Sequence, residues 1–460
     1  KMYCIRIFSI VIFFIVLVFS GSNAQEDKLL NKEIAVKYGL DVPPPMEDFD
    51  AAPEWLQEAD MFTSSGSVWN GYDIELKDTL ISRIVRLRAG HRMKKIHEQV
   101  SFVIDGNLDG SSINGVSLIS HSPHSKAAFE QAHEQGFRAV PYVHFRCIHT
   151  NYADQDVFYF QHPEILVKDF EGHWVHTPMD GADRLHRFLT CANSPSYWKL
   201  SLAYVKKMMD MGADGVFIDN VARRKEPCYG PNFNVRNPEF EPYVHEHLFP
   251  DATHDYAFDR FLQAIYRLVK SYGNDKVVIL NSGIDTRFQK DGDCCMWESF
   301  IYSWAWEGRR HTWEDVKARA KANEWFLKTG RRITALSTIS RSRKEAKEDA
   351  FWAFSAARLV DFIWWASLNG TGAEALYQAH IGKTLEPYKE VDQVAYKTFE
   401  NGVIVLNDSM DDRKMEITLA PEFHHDRLLD LYDGNKRIKV RNGKITVTVP
   451  KKKARVYIVM

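Results

Sequence analysis

The most constraining stretch of this chain is Gly212-Ala213-Asp214-Gly215-Val216-Phe217-Ile218-Asp219-Asn220, an apolar run that ends on an acid. Residues 216–218 are continuously apolar, β-branched and aromatic, and they follow an amphipathic helix predicted over 195–211. Such a run reads as a strand buried on both faces, as strands of a parallel sheet are. An acid at its exit stands at the rim of an α/β sheet or barrel, where active sites collect. A second acid has the same setting, because Cys294-Cys295-Met296-Trp297-Glu298-Ser299-Phe300 places Glu298 after another short apolar run.

The surrounding pattern alternates strand and helix, the signature of a parallel sheet. Helices are predicted over 254–272, 312–328 and 344–359, and the strands between and after them over 276–281, 295–300, 332–337 and 362–366. Upstream, 138–145 makes a third strand behind a helix containing 129–136, 99–105 a second and 60–64 a first. Asp219 then ends the fourth strand and Glu298 the sixth. An open doubly wound sheet fits the same alternation, but eight right-handed units in this length favour closure into a (β/α)8 barrel. After residue 395 the texture changes to short alternating runs separated by Asp433-Gly434 and Asn442-Gly443, both hairpin signals, so a small antiparallel β domain packs against the barrel.

The first residues fix an expected compartment. Lys1 and Arg6 precede the apolar stretch 7–19, and Ser22-Asn23-Ala24 supplies small residues before Gln25. This is the plan of a secretory leader, too short in its apolar core to serve as a membrane anchor. The division expected is therefore a leader over 1–24, a polar N-terminal lead over 25–59, a barrel over 60–394 and a β domain over 395–460. The mature chain is expected to be secreted or periplasmic, without membrane insertion. Residues 1–24 hold two basic groups and no acid, so their removal takes the formal charge from −2 to about −4. That balance argues against nucleic acid as a partner.

Of six cysteines Cys4 leaves with the leader, and the remaining five, an odd number, fit neither a zinc spacing nor a small disulfide scaffold; one or two disulfides stay open, and Cys294 and Cys295 read as packing residues. His121, His124, His144, His149 and His162 are too scattered to spell a metal site, so no metal and no cofactor is assigned. The basic run through Lys436, Lys444 and Arg455 reads as a solvated strand face. Asn369-Gly-Thr and Asn407-Asp-Ser match the glycosylation acceptor pattern.

Two carboxyl groups from separate strands are what cleavage of a glycosidic bond requires, one on each side of that bond. Asp219 and Glu298 are the candidate catalytic pair, and Glu298 has aromatic neighbours in Trp297 and Phe300. The candidate substrate contacts are Asn220, Asn281, His144, Asp105, Trp297, Trp364 and Arg223. Asn281 and His144 end strands, and Asp105 precedes a Gly-Asn turn. Trp364 and Trp365 alternate faces, so one of them points into the barrel.

The segment Gly212–Asn220, the Trp297-Glu298-Ser299 strand and the terminal β module together resemble the exported glycoside-hydrolase-like barrels related to family 114 endo-α-galactosaminidases. That resemblance implies a carbohydrate substrate, with the fourth-strand acid, Asp219, as nucleophile or stabilising carboxylate and the sixth-strand acid, Glu298, as proton donor. Two other classes stay open on the residues: a catalytically inactive barrel that binds glycans through its aromatics, and a metal-dependent hydrolase. The second would show His-x-His pairs or carboxylate clusters on the strand ends, where none occurs.

Overall fold

The computed structural model describes residues 27–47, 49–59, 61–64, 100–104, 126–134, 137–149, 163–169, 175, 187–222, 228, 245–281, 287–301, 311–339, 344–366, 368, 370–434 and 436–460. The expected leader, Asp105, Arg223 and Asn369 lie outside them. Eight strands close into one barrel: β1 (Met61–Ser64), β2 (Val100–Ile104), β3 (Phe137–His144), β6 (Gly215–Asp219), β7 (Val277–Asn281), β8 (Cys294–Trp297), β9 (Arg332–Ser337) and β10 (Ile363–Ala366). They stand around the ring in chain order. A two-stranded ribbon, β4 (Cys147–His149) and β5 (Arg187–Leu189), is inserted between β3 and β6.

The barrel departs from eight parallel units at one stave. Strand β2 runs antiparallel to both β1 and β3, whereas β1 pairs parallel with β10. Apolar patterning identifies a strand but not its direction, which is set by the course of the connection feeding it.

Helices α1 (Lys32–Tyr38), α2 (Glu54–Glu58), α3 (Lys126–Glu134), α4 (Pro195–Asp210), α5 (His254–Lys270), α6 (Trp313–Ala322), α7 (Glu324–Lys328) and α8 (Ala346–Leu359) complete the first part of the chain. Local chemistry starts the longer ones. Ser194 accepts from the Tyr197 N–H with Pro195 in the first turn, Thr253 accepts from Tyr256, and Thr312 and Asp315 form a reciprocal capping box. The single helix expected over 312–328 is split at Asn323. That buried side chain accepts from Gln289 Nε2 at 2.7 Å and donates to the Arg319 carbonyl at 2.9 Å, which draws the backbone out of the helical ladder.

Alternation along the strands sorts side chains into two layers. Val140, Phe217, Ile279, Met296 and Trp365 fill the barrel interior. Val216, Ile218, Val278, Leu280 and Trp364 face the helices. Gly215 sits at an interior position, where an added Cβ would lie 2.0 Å from the Val277 carbonyl oxygen, so only glycine permits β6 and β7 to approach there. The polar N-terminal lead supplies more core than its composition suggests. Ala52, Leu56 and Ala59 join the interior cluster, and Asp27 pairs with the buried guanidinium of Arg260 at 2.9 Å.

The terminal domain opens a few residues before the expected boundary. Strands β11 (Lys389–Val391), β12 (Val394–Phe399), β13 (Gly402–Asn407), β14 (Arg413–Thr418), β15 (Arg427–Asp430), β16 (Arg437–Lys439), β17 (Lys444–Val449) and β18 (Lys453–Val459) form a six-stranded sheet, in the order β11-β12-β13-β18-β15-β16, and a separate β14–β17 pair. The Asn442-Gly443 hairpin has positive φ at both residues, as a two-residue primed turn needs. Asn407 is buried and donates to the Asp411 and Val449 carbonyls, which closes it as a glycosylation acceptor.

Both faces of the six-stranded sheet are covered. Val403, Val405 and Tyr457 pack with Ile417 and Val447 of the β14–β17 pair. Ala395, Ile404, Leu406 and Val456 instead join the same core as Phe351 and Phe354 of α8. The buried Lys397 ammonium reaches back to Asp361 at 2.7 Å and to the Leu359 carbonyl at 3.3 Å. One continuous core therefore joins barrel and domain. A chain cut before residue 395 is expected to aggregate or to lose cooperative unfolding, because an apolar helix face is exposed. A soluble, cooperatively melting 27–394 fragment would contradict this.

The base of the barrel is held by one carboxylate. Asp214, 2% exposed, accepts from the Ala139 N–H at 2.9 Å, His133 Nε2 at 2.6 Å, Lys276 Nζ at 3.1 Å and Arg138 at 3.2 Å. Burial opposes its charge, but the Ala139 N–H, Lys276 and His133 outweigh burial and hold the carboxyl below its ordinary range. A depressed native pKa contributes stability above the unfolded-state value, about 3.9, and that stability is lost as pH falls through the native value. Asp214→Asn should therefore lower unfolding stability at neutral pH by about 3 kcal/mol. In urea titrations the gap between variant and parent should close progressively below about pH 4.

Candidate active site

The interior positions of β6, β7 and β8 are Phe217, Ile279 and Met296. Two residues further along, one level nearer the carboxyl-terminal mouth, stand Asp219, Asn281 and Glu298. Period-2 alternation thus gives three polar side chains a common direction.

They meet through one amide. Asn281 Nδ2 donates to Asp219 Oδ1 and also to Glu298 Oε2, the latter at 3.1 Å. The other Asp219 oxygen accepts from the Tyr142 hydroxyl and from Asn220 Nδ2 at 2.8 Å. Each hydrogen bond spans about 3 Å, so two from one nitrogen hold the contacted carboxylate oxygens within about 6 Å of each other. Asp219 and Glu298 are only half-buried, while Asn281 is 5% exposed. The buried amide thus bridges two half-buried acids.

The backbone turns sharply after each acid. Asn220 has φ 55° and Ser299 φ 62°, both in the left-handed region. Asparagine tolerates that region; serine does so at a cost of about 1–2 kcal/mol. Each turn is pinned to the neighbouring strand, Val221 N–H to the Asn281 carbonyl at 3.0 Å and Phe300 N–H to the Leu336 carbonyl at 2.8 Å. The strain is held by strands on either side, a condition met at functional sites.

Other candidates are sorted by the same alternation. Trp365 lies inside the barrel, its ring 5.2 Å from Phe217 and 5.9 Å from Phe62. Trp364 faces outward, fully buried against Phe354 of α8 with its indole N–H on Ser337, and is corrected from substrate contact to packing residue. Trp297 is corrected likewise. It is 4% exposed, with Phe300 and His311 at its ring and the Arg319 guanidinium 4.3 Å above it, so it fixes α6 to the barrel. The backbone of His144 pairs with Asp219 in the β3–β6 register, at the same level of the ring. Tyr142 was not among the sequence candidates, yet it shares the Asp219 carboxylate. Its signal was its place two residues before His144 in the third strand.

A second polar cluster joins residues the sequence left apart. One ligand-type atom from each of Cys191, Cys228, His245 and His247 lies within 4.8 Å of the others. Cys294 and Cys295 are buried packing residues, as expected.

No protein-family model matches the chain, and no curated protein matches it. Solved structures with a related course are a maltogenic α-amylase, AmyB, of Thermotoga neapolitana and the α-amylases of Anoxybacillus and Geobacillus thermoleovorans. The first aligns at 11% identity and TM-score 0.46 over 73% of this chain and 80% of its own. The other two align at 12% and 11% identity with TM-scores of 0.40 and 0.42, over 73% of this chain and 78% and 80% of theirs. At this distance no residue role is carried from them to this chain.

Proposed function

We propose that this chain is an exported glycoside hydrolase that cleaves an oligo- or polysaccharide with retention of anomeric configuration, using Asp219 as nucleophile and Glu298 as acid and base. The observation that carries this reading is the single Asn281 amide shared by the two carboxylates. The nearest oxygens of the two carboxyl groups are thereby held within about 6 Å, which accommodates the roughly 5–5.5 Å spacing of retaining enzymes.

In the first step Asp219 attacks the anomeric carbon while Glu298 gives its proton to the departing glycosidic oxygen, which leaves as an alcohol. Tyr142 and Asn281 hold the attacking carboxylate in line. In the second step Glu298, now a carboxylate, takes a proton from water. The oxygen of that water displaces Asp219 from the sugar, and Glu298 ends protonated again. Trp365 and Phe217 form an apolar floor one level below. The resemblance of Gly212–Asn220 and Trp297-Glu298-Ser299 to family 114 supports the same roles. The charged-then-apolar stretch ending before Gln25 supports export, which N-terminal sequencing of the mature protein tests.

The two acids should fail differently. Asp219→Asn is expected to lower kcat on every substrate by about 10⁴-fold or more, because no glycosyl-enzyme forms. Glu298→Gln should spare aryl glycosides with good leaving groups far more than natural glycans, since a good leaving group departs without a proton. Azide should rescue Glu298→Ala on an activated substrate and give a glycosyl azide of retained configuration. Asn281→Ala should reduce kcat by about 10²-fold with a smaller change in KM. Parental activity in both acid variants across a glycan panel would remove the pair from catalysis, and NMR showing an inverted first product would overturn the retaining assignment.

A further inference from the structure

The cluster of Cys191, Cys228, His245 and His247 has the dimensions of a coordination shell. His245 Nε2 and His247 Nε2 are 3.2 Å apart, Cys191 Sγ is 3.5 Å from His247 Nε2, and Cys228 Sγ is 3.4 Å from His245 Nε2. A regular tetrahedron with metal–nitrogen bonds of about 2.05 Å and metal–sulfur bonds of about 2.3 Å has N···N edges of about 3.3 Å and N···S edges of about 3.6 Å. The three measured edges match it closely. We propose that these four side chains form a tetrahedral zinc site that staples the connection leaving the Asp219 strand to the segment before α4.

Donor chemistry selects the ion. Two thiolates and two imidazoles in tetrahedral array suit zinc over the oxygen-seeking magnesium or calcium. Two thiolates balance the charge of the dication, so a buried neutral centre results, and binding releases two thiol protons to solvent. All four coordination positions come from the protein, which makes the site structural and leaves no place for a reacting water. Cys191 and Cys228 pack with Val167 and Leu189 in a small apolar cluster of their own, a shell that keeps water from the metal.

The scaffold presents three of the donors in advance. Asn193 locks the two segments together: its side chain donates to the Phe249 carbonyl at 2.8 Å and accepts from the Phe249 N–H at 2.7 Å, and its carbonyl accepts from Leu248 at 2.9 Å. The Cys191 N–H is held by the Ile165 carbonyl at 2.7 Å. Within His245-Glu246-His247 both imidazoles turn to the cluster, while Glu246 between them turns away to pair with Lys37 at 2.8 Å. Cys228 is the donor that comes from the middle of the β6–α5 connection, whose end carries His245 and His247.

The test is metal content of the full chain, purified without a histidine tag from zinc-supplemented medium. Elemental analysis and native mass spectrometry should find about one zinc per chain. Chelation should lower Tm by about 5–10 °C, reversed by added Zn²⁺. Cobalt in place of zinc should give sulfur-to-metal charge-transfer absorption and the intense d–d bands of tetrahedral coordination. Cys228→Ser should lose the metal and the chelator effect. This variant changes a donor on the connection and not in the packed core, and the cobalt spectrum of the parent stands even if it misfolds. A mass lower by two hydrogens with two thiols missing would show a Cys191–Cys228 disulfide and overturn the proposal. So would a reduced chain that takes up no Zn²⁺ in calorimetry, or zinc retained undiminished in Cys228→Ser. Metal content is read without any substrate, so failure here leaves the glycosidase reading untouched, and the reverse holds too.

Discussion

One amide nitrogen, that of Asn281, stands between the two mouth acids, and barrel closure is what puts it there. Strand β7 lies between β6 and β8 in the ring. The β6–β7 and β7–β8 registers bring the ends of all three strands to the mouth. A side chain at the end of the middle strand can then touch acids from both neighbours, whereas across an open groove the spacing of those acids would depend on loops. Fixing two carboxyl groups by hydrogen bonds from regular strands holds them more tightly than loop placement would.

The most tightly satisfied polar group and the proposed site are placed at opposite ends of the barrel. The base carries the buried Asp214 carboxylate with its four partners, the close approach at Gly215 and the buried Leu56 of α2. The mouth carries two left-handed residues, two half-buried acids over a buried amide, and a tyrosine committed to a carboxylate. Left-handed strain at Ser299 is tolerable because the Phe300 N–H is already engaged by β9 and the ring of Phe300 is buried against Trp297. Trp297 therefore serves the site indirectly: it holds the turn that presents Glu298.

The parts of this arrangement that depend on local pattern were legible in the sequence. Strands β6 and β9 match the expected limits, and β7, β8 and β10 lie within a residue or a few of them, because each is a short apolar run between a helix stop and a turn. That Asp219 and Glu298 leave the fourth and sixth staves followed from counting. What the pattern could not carry was direction and facing. A mostly apolar run such as Val-Ser-Phe-Val-Ile carries no sign of its direction, so β2's reversal was hidden. Alternation told that Trp364 and Trp365 face opposite ways without saying which one faces inward, and that choice needs the register with β9. The Cys191, Cys228, His245 and His247 grouping was invisible for a different reason. Its members come from three separated stretches, and the clamp at Asn193 is what holds the first and last together over the Phe249 backbone.

That clamp bears on the mouth as well. The connection from β6 to α5 begins with Asn220 and Val221, tied to Asp219 and to the Asn281 carbonyl. It ends with His245, His247 and Phe249, tied through Asn193 to the start of α4. Both ends of the segment are thus anchored to elements whose positions the barrel dictates, and Cys228 gives it a third point of attachment between them. Each added point of attachment divides a connection into shorter loops, and a shorter loop costs less entropy to close. The proposed metal would sit at that third point, between Asp219 and α5, with all four coordination positions filled by the protein. Such a division of labour suits a barrel whose proposed reacting groups, Asp219 and Glu298, are positioned by the strands themselves.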